Sequence, residues 1–183
     1  MKIDIIVGAR PNFIKIAPII EAIHKEQEKG TNIHFRLVHT GQHYDDNLSG
    51  EFFRQLQIPK PDINLEVGSG SQAEQTAKIM IRYEQLLLSE LFDICLVVGD
   101  VTSTMACAIV AKKMGLKVAH VEAGIRSFDL TMPEEINRMV TDSITDYFFT
   151  TSIFANKNLS NMGVRKDQIF YVGNTMIDSL LKQ

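Results

Sequence analysis

With 183 residues, the chain is long enough for one well-filled core and marginal for two domains. Its 45% apolar content excludes a disordered chain, and a formal charge of −3, from 19 basic and 22 acidic residues, excludes an electrostatic footprint for nucleic acid. The start, Met-Lys-Ile-Asp, has no apolar run with a cleavage site, and no stretch approaches a membrane span, so the sequence predicts a cytoplasmic protein without a signal peptide.

In chain order, short apolar β-rich runs at 3–7, 34–40, 94–98, 117–121, 147–151 and 169–172 are expected strands. Several are apolar throughout, as suits parallel strands covered on both faces. Helical stripes lie between them. Ile16, Ile19, Ile20 and Ile23 form the first, Leu48, Phe52, Phe53 and Leu56 the second, and Ile79, Tyr83, Leu86 and Leu87 the third. A helix over 106–114 stops at Gly115, and Ile136, Met139, Val140 and Ile144 complete a fifth apolar face. Residues 176–181 read as one more helix. The alternation predicts right-handed βαβ units in a doubly wound parallel sheet, Rossmann-like, with ligands gathering beyond the carboxyl ends of its strands. Cys95 and Cys107, in an apolar strand and the next helix, are expected as buried thiols.

Four turns carry chemistry. Gly8-Ala9-Arg10-Pro11 leads to Lys15; with Pro11 near the helix start, Arg10 and Lys15 suit either an anion at a helix amino terminus or solvation. Gly99-Asp100 follows a buried strand, and Asp100 reads as a functional acid or a helix cap, with Thr102 or Ser103 also able to cap. Glu122 ends an apolar strand, where a carboxylate must be paired, hydrogen-bonded or protonated; an ion pair with Arg126 is the structural alternative. Pro133-Glu134-Glu135 opens a helix on which Glu134 and Arg138 stand four apart. Three carboxylates and two or three cations on turns at one sheet edge suit proton transfer beside a phosphate-bearing ligand. No metal-ligand cluster, Ser-His-Asp signature or G-x-G-x-x-G fingerprint is present, and His39, His43 and His120 read as core or surface residues.

These turns, with His120-Val121-Glu122-Ala123-Gly124-Ile125-Arg126, Asn137-Arg138 and Val172-Gly173-Asn174-Thr175, resemble in order and spacing the non-hydrolysing UDP-N-acetylglucosamine 2-epimerases. The resemblance implies one half of a two-domain, glycosyltransferase-B-like fold with the active site between two Rossmann-like halves. It implies interconversion of UDP-GlcNAc and UDP-ManNAc by elimination and re-addition of UDP, with no metal or nicotinamide cofactor. Asp100, Glu122 and Glu134 then match the acid/base carboxylates, and Arg10, Lys15 and Arg138 the basic residues near the ligand. Gln42 and His43 match a pair that binds an activating second UDP-GlcNAc, although Tyr44-Asp45 departs from the usual pattern there. A homodimer is implied.

On this reading, residues 1–183 are a single domain, with 174–183 beginning the connector to an absent carboxy-terminal half, and the fragment alone is inactive. Two alternatives are a glycosyltransferase of the same fold and a non-catalytic binding or assembly half-domain.

Overall fold

The structure, a computed structural model, describes residues 1–41 and 50–181, with 50–52 as backbone only. Seven parallel strands form one sheet: β1 (Lys2–Val7), β2 (His34–His39), β3 (Ile63–Asn64), β4 (Ile94–Val98), β5 (Lys117–Val121), β6 (Tyr147–Thr150) and β7 (Ile169–Tyr171). Their order is β3-β2-β1-β4-β5-β6-β7. The chain runs outward from β1 to β3, then returns to lay β4 on the other side of β1. That reversal makes the crevice between β1 and β4 a topological switch point.

Apolar residues alternate between two cores, which explains why the strands lack polar alternation. Ile6, Cys95, Val97 and Val118 face one core, built against α3 (Gln72–Ser89) and α4 (Thr102–Lys113). Ile3, Ile5, Val7, Leu96, Val98, Ala119 and Val121 face the other, against α1 (Arg10–Glu28) and α2 (Gly50–Gln55). Phe13, Ile16, Ile20 and Ile23 of α1 are buried there, each contributing about 2 kcal/mol. The α3 start is a capping box: Ser71 Oγ accepts from Glu74 N–H, and Glu74 accepts from Ser71 N–H at 2.8 Å. Cys95 and Cys107 are buried and unbridged.

The amino-terminal ends of β1 and β2 are joined by a buried polar knot. Arg36 donates twice to Asp4, at 2.8 and 2.9 Å, and Tyr83 Oη donates to the same carboxylate. Burial pushes the Asp4 carboxyl above its ordinary value, against the opposing pull of Arg36 and Tyr83. This knot lies away from the carboxyl ends of the strands, where Asp100 and Glu122 follow β4 and β5.

Three findings differ from the expectations. The edge strand β3 has only two residues, too few to show a pattern. Helix α6 (Ile153–Asn161) buries only Ala155 and Leu159, one pair at i and i+4, although Ser152 caps it by accepting from Ala155 N–H at 3.1 Å. The third concerns α5 (Pro133–Ile144). Its buried residues are Glu135, Asn137, Thr141 and Asp142, whereas Ile136 and Met139 are exposed. The polar face of that helix turns inward because charged partners on neighbouring turns await it. Finally, α7 (Thr175–Leu180) lies against α1, with Ser179 Oγ donating to Ile14 O.

Candidate functional site

The site begins with the turn after β1. Buried Asn12 folds back so that its Oδ1 accepts from Gly8 and Ala9 N–H, while its Nδ2 donates to Val98 O at 3.1 Å. One side chain thus caps α1 and ties its start to the end of β4. One helical turn on, Lys15 Nζ lies 2.5 Å from Glu122 Oε2, and both side chains are largely buried. Arg10 is exposed at the first position of α1.

Gly99 N–H donates to Val121 O, so the ends of β4 and β5 stay in register up to the site. Gly99 has φ +71°, and a Cβ there would stand 3.4 Å from Lys15 Nζ and 3.5 Å from Glu122 Oε2. Both are ordinary van der Waals distances, so it is the left-handed backbone that calls for glycine here. Glu122 itself adopts φ 70°, a left-handed conformation that costs a non-glycine residue roughly 1 kcal/mol or more. Such strain persists only where surroundings hold it, and here Lys15 takes the carboxylate.

Asp100 does not cap α4. Val101 holds that position without a side-chain bond, Thr102 Oγ1 donates to Gln72, and Thr104 Oγ1 donates to Val98 O. The Asp100 carboxylate instead meets Arg138 Nη2 from α5, and Asn137 donates to Asp100 O at 2.8 Å. Arg138 reaches past Glu134 to Glu135, at 2.8 Å, and on to Asp100. Glu134 is exposed on the first turn of α5, with no protein partner among the described residues. The expected facing of Glu134 and Arg138 is therefore replaced by a Glu135–Arg138–Asp100 chain.

Glu122 is not paired with Arg126. Arg126 joins Asp142 at 2.7 Å, and Asp142 also meets His120 Nδ1 at 2.7 Å and accepts from Gly124 N–H at 3.0 Å. The other nitrogen of His120 faces Gly99 O at 2.8 Å. Both ring nitrogens thus point at oxygen atoms, which fixes the ring between the end of β4 and α5. Burial alone would raise the Asp142 carboxyl, but His120 and Arg126 outweigh it and hold the group below its ordinary value.

The structure therefore brings Lys15, Asp100, Glu122 and Arg138 to the carboxyl edge of β1, β4 and β5, with Glu134 on the adjoining helix turn. Gln42 and His43 lie outside the described residues. Asn12, His120, Glu135, Asn137 and Asp142 join this network through buried side chains. Each looks in sequence like an ordinary cap, core or helix residue, and the only signal was polarity inside apolar periodicity. Among the described residues, no group of three or more His, Cys, Asp or Glu is arranged to hold a metal, and no helix is long and apolar enough to cross a membrane.

Comparison with known proteins gives the family and the fold. The family profile described as UDP-N-acetylglucosamine 2-epimerase covers residues 25–183. The Methanocaldococcus jannaschii UDP-N-acetylglucosamine 2-epimerase is 47% identical over 182 residues, covering 100% of this chain and 48% of that protein. The Pseudomonas aeruginosa UDP-2,3-diacetamido-2,3-dideoxy-D-glucuronate 2-epimerase is 44% identical, covering 99% of this chain and 51% of that protein. The crystal structure of the M. jannaschii enzyme in complex with UDP-GlcNAc and UDP superposes with a TM-score of 0.92 at 47% identity, over 100% of this chain and 49% of that one. The chain spans about half the length of the curated relatives it matches, and its fold is that of one half of a glycosyltransferase-B-like molecule. Sequence, sheet order and superposition agree that the chain belongs to the UDP-N-acetylglucosamine 2-epimerase family.

Proposed function

We propose that this chain is the carboxylate-bearing half of an enzyme that inverts C2 of a UDP-N-acetylhexosamine, interconverting UDP-GlcNAc and UDP-ManNAc. One observation supports the reading beyond family membership: Asp100 and Glu122, each paired with a cation, follow the carboxyl ends of the adjacent strands β4 and β5. In the elimination step a carboxylate removes the C2 proton. The electrons form a C1–C2 double bond, and the C1–oxygen bond breaks to release UDP. Re-addition of UDP to C1, with a proton delivered to the opposite face of C2, completes the inversion.

Two acid/base groups on different faces are required, and Asp100, Glu122 and Glu134 are the candidates. Arg10, Lys15 and Arg138 supply positive charge toward the departing diphosphate. Lys15 and Arg138 also hold the carboxylates in place before ligand arrives. The same reading makes residues 1–183 one domain, with 174–183 the start of a connector, in a homodimeric protein. The buried thiols Cys95 and Cys107 suit a cytoplasmic setting.

The test is a fusion of this chain to the carboxy-terminal half of the M. jannaschii relative, incubated with UDP-GlcNAc in D2O. UDP-ManNAc should form with deuterium at C2, and Glu122→Gln should abolish the exchange while leaving the far-UV circular dichroism unchanged. A folded fusion that binds UDP yet forms no UDP-ManNAc sinks the proposal. Transfer of sugar to an acceptor would favour the glycosyltransferase, and pairing without turnover the assembly module. The 44% identical P. aeruginosa relative supports a second substrate, the diacetamido glucuronate, for the same C2 chemistry. Assay of both sugars in parallel decides between them.

A further inference from the structure

Glu135 is the acid of α5 that faces inward. It is 1% exposed, while Glu134 beside it faces solvent. Its Oε1 accepts from Phe128 N–H at 3.1 Å, and its Oε2 accepts from Ser127 N–H at 3.0 Å and Arg138 Nη1 at 2.8 Å. Phe128 has φ 61°, so the segment it anchors is held in a conformation that a free chain rarely adopts. The other nitrogen of the Arg138 guanidinium is on Asp100. A planar guanidinium with one nitrogen fixed has its second nitrogen aimed as well.

We propose that Glu135 is the positioning residue of this site, aiming Arg138 at Asp100 and pinning the Ser127–Phe128 turn to the same carboxylate. Its catalytic meaning rests on the function proposed above, but the geometric claim stands without it. Glutamine cannot replace this group. It has the same volume but offers one acceptor oxygen and a donating nitrogen where three N–H groups converge, so at least one donor meets another donor. Arg138 then keeps at most a neutral acceptor in place of a carboxylate, and its aim at Asp100 loosens. Burial alone would raise the Glu135 carboxyl; the Ser127 N–H, Arg138 and the Phe128 N–H outweigh it and keep the group ionised as the aiming role requires.

The experiment is nitrogen-15 NMR of the Arg138 guanidinium in the 183-residue chain, before and after Glu135→Gln. In the wild type, anchoring on Glu135 and Asp100 should restrict rotation of the guanidinium and give resolved Nη1 and Nη2 signals, which should merge into one averaged signal in the variant. Resolved Arg138 Nη signals in a folded variant overturn the proposal, because Arg138 would then remain on Asp100 without Glu135. Should Glu135→Gln fail to fold, Glu135→Asp retains the charge but shortens the reach, and the signals should merge at a lower temperature than in the wild type; an unchanged merging temperature overturns the proposal equally. Since no step needs turnover, inactivity of the fusion enzyme would count against the proposed reaction and leave this test intact.

Discussion

Asp142 meets His120, Arg126 and the Gly124 amide from three directions at zero side-chain exposure. Its folded carboxyl titrates below the value of about 3.9 expected in the unfolded chain. Stability from this group is therefore fully present above about pH 4 and is lost as pH falls through the depressed folded value. Asp146, held by Lys112, the Val118 amide and Lys117, behaves in the same sense. Asp4 has the opposite sign: its raised carboxyl favours folding below the unfolded value, and that contribution fades as pH rises through the folded one. Asp142→Asn should cost about 3 kcal/mol at pH 7, because it leaves the buried Arg126 guanidinium without its anionic partner. Urea midpoints measured between pH 7 and pH 3 should show the variant and wild type converging toward acid. Parallel curves would mean that Asp142 is not ionised in the folded protein.

At the scale of elements, α5 and the turn after β5 form one working unit. The helix gives its polar face to the site, with Asn137 and Arg138 on Asp100, Glu135 on the preceding segment, and Asp142 under His120. Its apolar side instead lines a groove with α3 and α4, where Ile136 stands near Met80 and Met105. The turn itself is fixed from behind by α6. Gly124 has φ +77°, and a Cβ there would stand 2.5 Å from Ala155 O and 2.9 Å from Leu159 Cγ. Gly124→Ala should therefore destabilise the chain by about 2 to 3 kcal/mol, through strain plus displaced backbone. A urea midpoint within error of wild type would show that α6 yields freely and does not support the turn.

For the whole molecule, the two cores share every central strand, so neither face can open without exposing the other. Unfolding is expected as a single transition. The chain has four tyrosines and no tryptophan, and Tyr83 is fully buried against α4 and the sheet, whereas Tyr171 on the edge strand is exposed. Far-UV circular dichroism and tyrosine emission should trace the same urea curve. Separate midpoints would show that the α3–α4 layer and the sheet are distinct cooperative units, against the single domain proposed for residues 1–183.

The sequence by itself determined the layers and most of the elements, because apolar periodicity reports burial directly. Continuous runs such as Ile94–Val98 have one stable solution, a central parallel strand. It also put Asp100 and Glu122 each directly after such a strand, where the structure finds each carboxylate on a cation. Two elements were illegible: β3 is held by pairing with Val38 and His39 from a distant segment, and α6 buries only two side chains. Only the tertiary structure decided who pairs with whom. An acid within helical reach of Arg138 was visible in the order of residues. That Arg138 would choose Glu135 and a strand end 38 positions away over Glu134 was not. Charge pairing depends on distance in space and on exclusion of water, and neither is encoded in spacing along a single helix.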